Sequence, residues 1–568
     1  MRYVALATDY DGTLAHDGAV SPSTLETVRR LRQSGRKLIL VTGRELPDLE
    51  ANFAHLDVFD RVVAENGALL YNPSDKTSCP LAEPPPAKFV ERLRARGVPN
   101  ISTGAVIIAM WRPHEQEAID AIRDLGLELQ IIFNKDAVMI LPSGVNKQTG
   151  LVAALKEMKL SPHSVVGVGD AENDHAFLGC CECAVAVANA IPSLKEEADL
   201  VTVGAHGEGV SELIERLIQD DLANLAPKLV RHNVLLGQCD TGDVCLNSFG
   251  TAALICGQSG SGKSTLIAGI IERLSRKKYQ VCVIDPEGDY DNAGDFPVTG
   301  DPTHPPSLDH IGRLMADPQG QLSVNLVGVP LDDRAALFAR VLAVLQEHRR
   351  RMGRPHWLVI DEAHHMFPEN WSAMGGDLDA SNGSFALITV HPGHVSPRML
   401  KHVNVLIVVG RNPGEAIAEF CTATGRPVPP ATAGDLDSGD ALVWNIDSGA
   451  PVRVRTQPPQ VAQERHKRKY AKGELEEDRI FYFRGPGGKL NLRAQNLTIF
   501  TQIADGVDDA TWLFHLRRGD YSKWVREAIK DPELAEELQQ IERAGGLTAQ
   551  ESRNRVARAI EARYTAPA

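Results

Sequence analysis

Two α/β domains in series followed by an α-helical domain are the architecture this sequence predicts, and three observations carry the prediction. An apolar run, Val4 to Leu6, leads straight into two carboxyls spaced i, i+2, Asp9 and Asp11. A second apolar run, Ala252 to Cys256, opens into a glycine-rich loop ending in Lys263-Ser264-Thr265. From Leu497 onward, leucines and aromatics recur at helical spacing. The first two patterns are those of buried parallel strands whose carboxyl ends open into sites; the third is that of a helical module.

A chain of 568 residues has room for three or four domains, each with its own core. Its hydrophobic content of 43% and charged content of 24% are those of a globular protein in water. A net charge of −14 argues against a surface coated for nucleic acid, although it leaves room for a local basic groove. With no run of about 18 apolar residues and no leader before the first strand, the expected location is the cytoplasm, with no membrane partner. Nine cysteines, of which Cys183, Cys245, Cys256, Cys282 and Cys421 lie in or beside strand-like runs, read as reduced core residues rather than a disulfide framework. Cys180-Cys181-Glu182-Cys183 is denser, but no second cluster completes a four-ligand metal site.

At the end of the first strand, alternation through Asp11 would turn Asp9 and Asp11 to one side, while Gly12 lets the backbone turn away. Two such carboxyls suit phosphoryl transfer: one attacks phosphorus, the other handles protons at the leaving oxygen, and Mg2+ offsets the shared charge. Downstream, Leu25, Val28 and Leu31 form the apolar face of a helix from Ser23 to Ser34 that Gly35 ends. Lys37 to Val41 is a second buried strand. It delivers Thr42-Gly43-Arg44, a hydroxyl and a glycine-freed N–H suited to phosphate oxygens. A third strand, Arg61 to Ala64, ends in the turn Glu65-Asn66-Gly67-Ala68.

From residue 84 to 144 the pattern changes to α+β: a proline-rich entry, a helix, the strand Ile101 to Met110, the helix His114 to Leu125, and the strands Leu127 to Phe133 and Ala137 to Leu141. Inserted between two halves of a Rossmann-like sheet, this segment is a cap that excludes water and selects substrate. The chain returns with Asn146-Lys147-Gln148-Thr149-Gly150 at a helix head, where a lysine can neutralise a phosphate and a phosphorylated aspartate. A buried strand, Ser164 to Val168, then leads to Asp170 and Asp174, which are placed to complete a hard-oxygen Mg2+ site.

Taken in order, DYDGT, VTGR, VNKQTG and GDAEND resemble the four motifs of haloacid-dehalogenase (HAD) phosphatases of the Cof-like, type IIB branch, over residues 1–216. The resemblance implies that Asp9 is the nucleophile forming an aspartyl-phosphate and that Asp11 is the general acid/base. Thr42 and Lys147 would bind phosphate. Asp170, supported by Asp174, would bind Mg2+ alongside Asp9 and the Asp11 carbonyl. A cap nearer in length to the phosphoglycolate and sucrose phosphate phosphatase types points to a small phosphorylated acid or sugar as substrate.

Residues 227–458 make the second predicted domain. After a β-like preface, Val230 to Asn247, the strand Ala252 to Cys256, the loop from Gly257 to Thr265 and a helix from Leu266 complete the GxxxxGKS pattern in strand–loop–helix order. Backbone N–H groups around Gly257, Gly260 and Gly262 face the phosphates of ATP, Lys263 reaches the β and γ oxygens, and Ser264, next to Thr265, holds Mg2+. The strand Trp357 to Ile360 delivers Asp361 to the Mg2+ water shell and Glu362 to polarise the attacking water, which argues for hydrolysis. Leu331 to Met352 is an amphipathic helix with Phe338, Val341, Leu342 and Leu345 on one face. Its Arg349-Arg350-Arg351 end reads as solvated dipole partners.

With Asp285-Pro286-Glu287-Gly288-Asp289-Tyr290, these elements resemble HerA/FtsK-type motor ATPases. That resemblance implies a homo-oligomer, commonly a ring, with ATP at subunit boundaries. Thr389 and His391 stand where such motors commonly carry glutamine, and Arg411 reads either as an arginine finger or as a surface charge at a helix start.

Residues 459–473, with Arg465-His466-Lys467-Arg468-Lys469, read as a flexible basic linker, and 474–568 as the helical domain. Its helices are predicted at Leu497 to Gly506, Asp508 to Arg517, Tyr521 to Ile529, Pro532 to Ala544 and Ala549 to Tyr564, with Phe500, Trp512, Phe514, Leu516 and Trp524 in the core. The run from His515 to Tyr521 resembles a small helical module appended to prokaryotic enzymes, with no chemistry assigned. The leading expectation is a Mg2+-dependent phosphomonoesterase joined to an ATP-hydrolysing domain that regulates or assembles it. The alternative is a nucleic-acid motor or end-processing enzyme whose HAD domain removes terminal phosphates. The acidic balance and small cap favour the first.

Overall fold

The computed structural model describes residues 1–134, 136–225, 228–290, 296–371, 376–430, 434–446, 449–460, 475, 479–529 and 531–564. They fall into two compact units, one of residues 1–284, 306–324 and 329–459, the other of 285–305, 325–328 and 460–568. The predicted basic run from Arg465 to Lys469 lies outside the described residues. Among the described residues no helix is long and apolar enough to cross a membrane.

In the first unit an eight-stranded sheet runs in the order Leu200–Val201, Cys183–Ala186, Val165–Gly169, Ala5–Asp9, Lys37–Val41, Arg61–Ala64, Leu69–Asn72, Thr77–Pro80. The first six strands are parallel, Leu69–Asn72 pairs antiparallel with Arg61–Ala64, and Thr77–Pro80 pairs antiparallel with Leu69–Asn72. Ala5–Asp9 therefore lies between Val165–Gly169 and Lys37–Val41, which brings Asp9, Asp170 and Thr42 to one edge. Burial of the central strands on both faces explains why Val4 to Leu6 and Leu38 to Val41 are unbroken apolar runs. The hairpin Leu69–Asn72/Thr77–Pro80 escapes a pattern reading, because its outer strand is wholly exposed and shows no apolar alternation.

The cap carries its own antiparallel sheet, ordered Ser102–Thr103, Ile108–Trp111, Ala137–Pro142, Leu129–Asn134. Phe89 and Leu93 of the helix Ala87–Ala95, and Ala118 and Ala121 of Glu115–Leu125, pack with Val138 and Ile140. Alternation turns Met139 and Leu141 to the other face, where they join Ala68, Val106 and Ile107. The predicted strand Ile101 to Met110 is broken in two. Residues 105–107 leave the ladder and donate backbone N–H groups to Glu65.

A second sheet contains, in order, Gly242–Leu246, Val234–Cys239, Val452–Thr456, Asp440–Asn445, Val405–Val409, Ala252–Cys256, Ser384–Thr389, Trp357–Ile360, Val281–Asp285 and Leu322–Asn325, strands that all lie in the same unit but for the terminal residues Asp285 and Asn325. Its central strands, from Val405–Val409 to Val281–Asp285, run parallel. The helix Leu331–Met352 buries Phe338, Val341, Leu342 and Leu345 as its periodicity predicts. Two expectations fail here. Arg349 is buried rather than solvated: its guanidinium donates to the carbonyls of Pro355 and Ser384, which cap the strands beside the helix end. Cys245 is exposed, because it occupies an outward position of the edge hairpin.

The second unit contains the hairpin Phe481–Phe483/Leu492–Ala494 and the helices Leu497–Gly506, Asp509–Arg518, Asp520–Trp524, Pro532–Arg543 and Ala549–Tyr564. Phe500, Trp512, Leu516 and Trp524 are buried in its core, whereas Phe514 is half-buried at the surface. In the same unit the Asp285 carboxyl accepts from the backbone N–H groups of residues 287 to 290.

Candidate active site

The strand Ala5–Asp9 stops at Asp9, and the chain turns at once: Gly12 donates its N–H to Ala15, and Ala15 donates to Tyr10. Alternation therefore does not carry through to Asp11, and the two carboxyls separate. Asp9 is buried, whereas both Asp11 oxygens accept from Arg44, Nε and Nη2 each at 2.7 Å. Gly12 has φ +85°, and a Cβ there would lie 2.3 Å from Asp170 Oδ2, so both backbone conformation and close approach call for glycine.

Around Asp9 the structure gathers three of the other expected residues. Lys147 is the first residue of the helix Lys147–Glu157, whose Asn146 N-cap and Thr149 form a reciprocal capping box. Its ammonium donates to Asp9 Oδ1 at 2.5 Å and to Asp174 Oδ1 at 2.6 Å. Asp174 Oδ2 accepts from the N–H groups of Asp170 and Ala171, and Thr13 donates to Asp170 Oδ1 at 2.9 Å. Oxygens of Asp9, Asp170 and Asp174 all lie within 4.8 Å of one another.

Burial pushes the Asp9 carboxyl well above its usual range, with Asp174 and Asp170 adding to the rise and Lys147 opposing it. Burial works against the Lys147 ammonium, yet Asp174 and Asp9 outweigh it and raise its pKa. Thr42 is buried at the neighbouring strand end and its hydroxyl oxygen accepts from the Arg44 N–H. Three buried carboxyls at one point form a hard-oxygen donor set, and a divalent cation of Mg2+ type fits it chemically.

Glu65, which the sequence marks only as the start of a turn, has a structural role there. It is fully buried at φ +52°, and its carboxyl oxygens accept from Ala105, Val106 and Ile107 of the cap at 2.7, 2.7 and 2.9 Å. The signal that could have found it is an acid directly after a strand, in a turn at the same sheet edge as Thr42. From the cap, Met139 reaches the site: a Cβ on Gly43 would lie 3.0 Å from its methyl carbon.

The glycine-rich loop precedes the helix Lys263–Arg276, with Gly257, Gly260 and Gly262 all at positive φ. Lys263 is buried and donates to the carbonyls of Gly257 at 2.7 Å and Gln258 at 3.0 Å. Ser264 is half-buried and Thr265 exposed. Asp361 and Glu362 follow a strand separated from the loop's own strand by Ser384–Thr389. Thr389 is paired in register with Cys256 and lies 3.2 Å from His364 Nδ1, which in turn is 3.5 Å from Glu362. His391 donates its N–H to Thr389 Oγ1. Arg411 is exposed and belongs to no ion pair among the described residues.

A buried polar block joins the backs of the two sheets. Glu182 accepts from Arg2 at 2.8 Å, His163 Nδ1 at 2.8 Å, Tyr279 at 2.7 Å and Ser248 at 3.1 Å. His163 stacks on Tyr279 with centroids 3.7 Å apart, and its Nε2 donates to the Lys277 carbonyl beyond the end of the helix Lys263–Arg276. Arg354, ahead of the strand Trp357–Ile360, donates to the Lys159 carbonyl. His163 itself stands two residues before Val165–Gly169, the strand that leads to Asp170. Glu182, flanked by cysteines in the sequence, thus serves this block rather than a thiolate site.

Residues 6–93 and 110–214 match the family model described as haloacid dehalogenase-like hydrolase, and residues 239–340 that of the helicase HerA central domain. A protein named phosphoglycolate phosphatase 2, from Saccharolobus solfataricus, is 30% identical over 38% of this chain and 92% of its own length. One named phosphoglycolate phosphatase, from Methanothermobacter thermautotrophicus, is 30% identical over 38% of this chain and 98% of its own. A crystal structure of a haloacid dehalogenase-like hydrolase from Bacteroides thetaiotaomicron is 19% identical, covers 38% of this chain and 99% of that one, and has a TM-score of 0.34. By its N-terminal residues this chain belongs to the haloacid dehalogenase-like hydrolases, and it joins that enzyme to a HerA-type P-loop ATPase domain.

Proposed function

We propose that the N-terminal domain, residues 1–216, hydrolyses the phosphomonoester of a small phosphorylated acid of the phosphoglycolate type, and that nucleotide bound in the domain of residues 227–458 regulates it through the block around Glu182. The observation that carries the first half is the Lys147 ammonium set between the Asp9 and Asp174 carboxyls, buried beside Asp170. In this reading a carboxylate oxygen of Asp9 attacks phosphorus and the ester oxygen leaves with a proton from Asp11. Water, losing its proton to Asp11, then attacks the aspartyl-phosphate, which releases phosphate and restores Asp9. Lys147 and Thr42 hold the phosphate oxygens, and Arg44 orients Asp11 by gripping both its oxygens. Mg2+ held by Asp9, Asp170 and Asp174, with the Asp11 carbonyl, would offset the negative charge of carboxylates and ester. The apolar underside of the cap, Val106, Ile107, Met139 and Leu141, favours a small substrate and excludes water.

The relatives' names support the substrate class, and the hydrogen bonds from His163 and Arg354 across the two sheets support the regulation. In the P-loop domain Lys263, Ser264 and Asp361 are the ATP and Mg2+ residues and Glu362 polarises the attacking water. Phosphate release from phosphoglycolate, sugar phosphates and 5′- or 3′-phosphorylated oligonucleotides, with and without ATP, tests both halves. Expected is turnover of phosphoglycolate that Asp9→Asn abolishes and that ATP alters while Lys263 is intact but not in Lys263→Ala. Turnover confined to oligonucleotide ends would overturn the substrate; an ATP effect that survives Lys263→Ala would overturn the regulation.

A further inference from the structure

From the run His515 to Tyr521, which the two catalytic sites leave unexplained, His515, Arg518 and Asp520 help line a cavity of about 510 Å3 lying wholly within residues 481–527. Its floor is structural. His515 is buried, its Nδ1 donates to Asp520 at 2.8 Å and its Nε2 accepts the Arg484 N–H at 3.1 Å, so the imidazole ties the hairpin Phe481–Phe483 to the turn between two helices. The rim is a different matter. Arg484 and Lys523 are both exposed, and among the described residues neither is in an ion pair. Arg518 approaches Asp520 at 3.4 Å, but that oxygen is already engaged by His515. In a chain of net charge −14, one cavity thus gathers three cations, Arg484, Arg518 and Lys523, against the two carboxyls Asp520 and Glu527.

Two of these cations lie over the rings of half-buried aromatics. The Arg518 guanidinium is 4.9 Å from the Phe514 centroid, and that of Arg484 is 5.3 Å from Tyr482. Stacking of this kind holds a guanidinium flat and leaves its N–H edges directed outward, where a phosphoryl group can take two at once. Phe514 stays half-buried instead of joining the core, which fits a ring kept at the mouth for contact with a ligand. Glu527, also on the rim and in no ion pair among the described residues, offers an acceptor for hydroxyl groups. The volume falls in the range of small-molecule sites, roughly 300–1,000 Å3.

We propose that this cavity binds a small phosphate ester with a hydroxylated carbon skeleton, such as a sugar phosphate: Arg484, Arg518 and Lys523 hold the phosphoryl group, while Glu527 and the ring of Phe514 hold the skeleton. Glucose 6-phosphate, inorganic phosphate and glucose serve as probes in isothermal titration of the full chain. The parent carries Asp9→Asn and Lys263→Ala, so that turnover and the P-loop lysine do not contribute. Expected is a saturable site for glucose 6-phosphate that weakens by about tenfold or more in Arg484→Gln/Lys523→Gln. Inorganic phosphate should bind more weakly and glucose not at all. Both substituted side chains are exposed, and an unchanged helical circular dichroism signal checks the fold. Equal binding in parent and double variant, or glucose binding as tightly as its phosphate, would overturn the proposal.

Discussion

Lys147 shows how one residue sets the chemistry of a buried site. An ammonium nearly out of water is costly, and it is tolerated because Asp9 and Asp174 each accept from it within 2.6 Å. Removing it leaves two carboxyls facing each other with no cation between them. In Lys147→Ala, turnover should fall by at least about two orders of magnitude, and the fold should lose about 3–5 kcal/mol. Stopped assays and urea midpoints read the two effects, and a variant as stable as the parent would contradict the account. The lysine, the aspartates and Thr42 were all legible, because each stands at a strand end or helix head where the backbone itself creates a site. The Arg44 grip on Asp11 was not, because it depends on the chain turning away at Tyr10.

At the scale of elements, the cap is tied to the sheet by Glu65. Three N–H groups of the cap converge on one carboxyl, and this is what breaks the expected strand Ile101 to Met110 into Ser102–Thr103 and Ile108–Trp111. Glu65→Gln keeps the shape but replaces one oxygen by an NH2 that faces donors. It should cost about 1.5–3 kcal/mol of local stability, speed amide exchange at residues 105–107, and raise KM more than it lowers kcat. Unchanged exchange at those amides would refute the tie. Strands such as Lys37–Val41, Arg61–Ala64, Ala252–Cys256 and Trp357–Ile360 were legible to the residue, since burial on both faces leaves a bounded apolar run. The exposed strand Thr77–Pro80 left no such mark.

Across the molecule, the Glu182 block is where the phosphatase and P-loop sheets meet in the first unit. Burial alone would raise the Glu182 pKa, but the hydrogen bond and charge of His163, then Arg2 and His232, hold it well below the usual 4.5. A depressed carboxyl contributes stability that is fully present above its unfolded value and is lost as pH falls through the folded one. Glu182→Gln should therefore be less stable than the parent at pH 7, with the gap narrowing as the pH is taken below about 4.5. Urea midpoints across that range measure it, and a gap independent of pH would show that the charge is not what matters. The same variant should lose the ATP effect on phosphate release if the block transmits it.

Local pattern determined a great deal here: the strands that carry acids, the loop that carries glycines and Lys263, and the terminal helices all follow from periodicity and capping, which act within a few residues. What no local pattern could decide is which charges meet. That Asp9 faces Lys147, Asp11 faces Arg44, Glu65 holds the cap and Glu182 joins two sheets depends on strand order and turn direction, and so on residues far apart in sequence, 138 positions for Lys147 and Asp9 and 180 for Arg2 and Glu182. Burial then makes those meetings matter, since a charge out of water is stable only beside its partner.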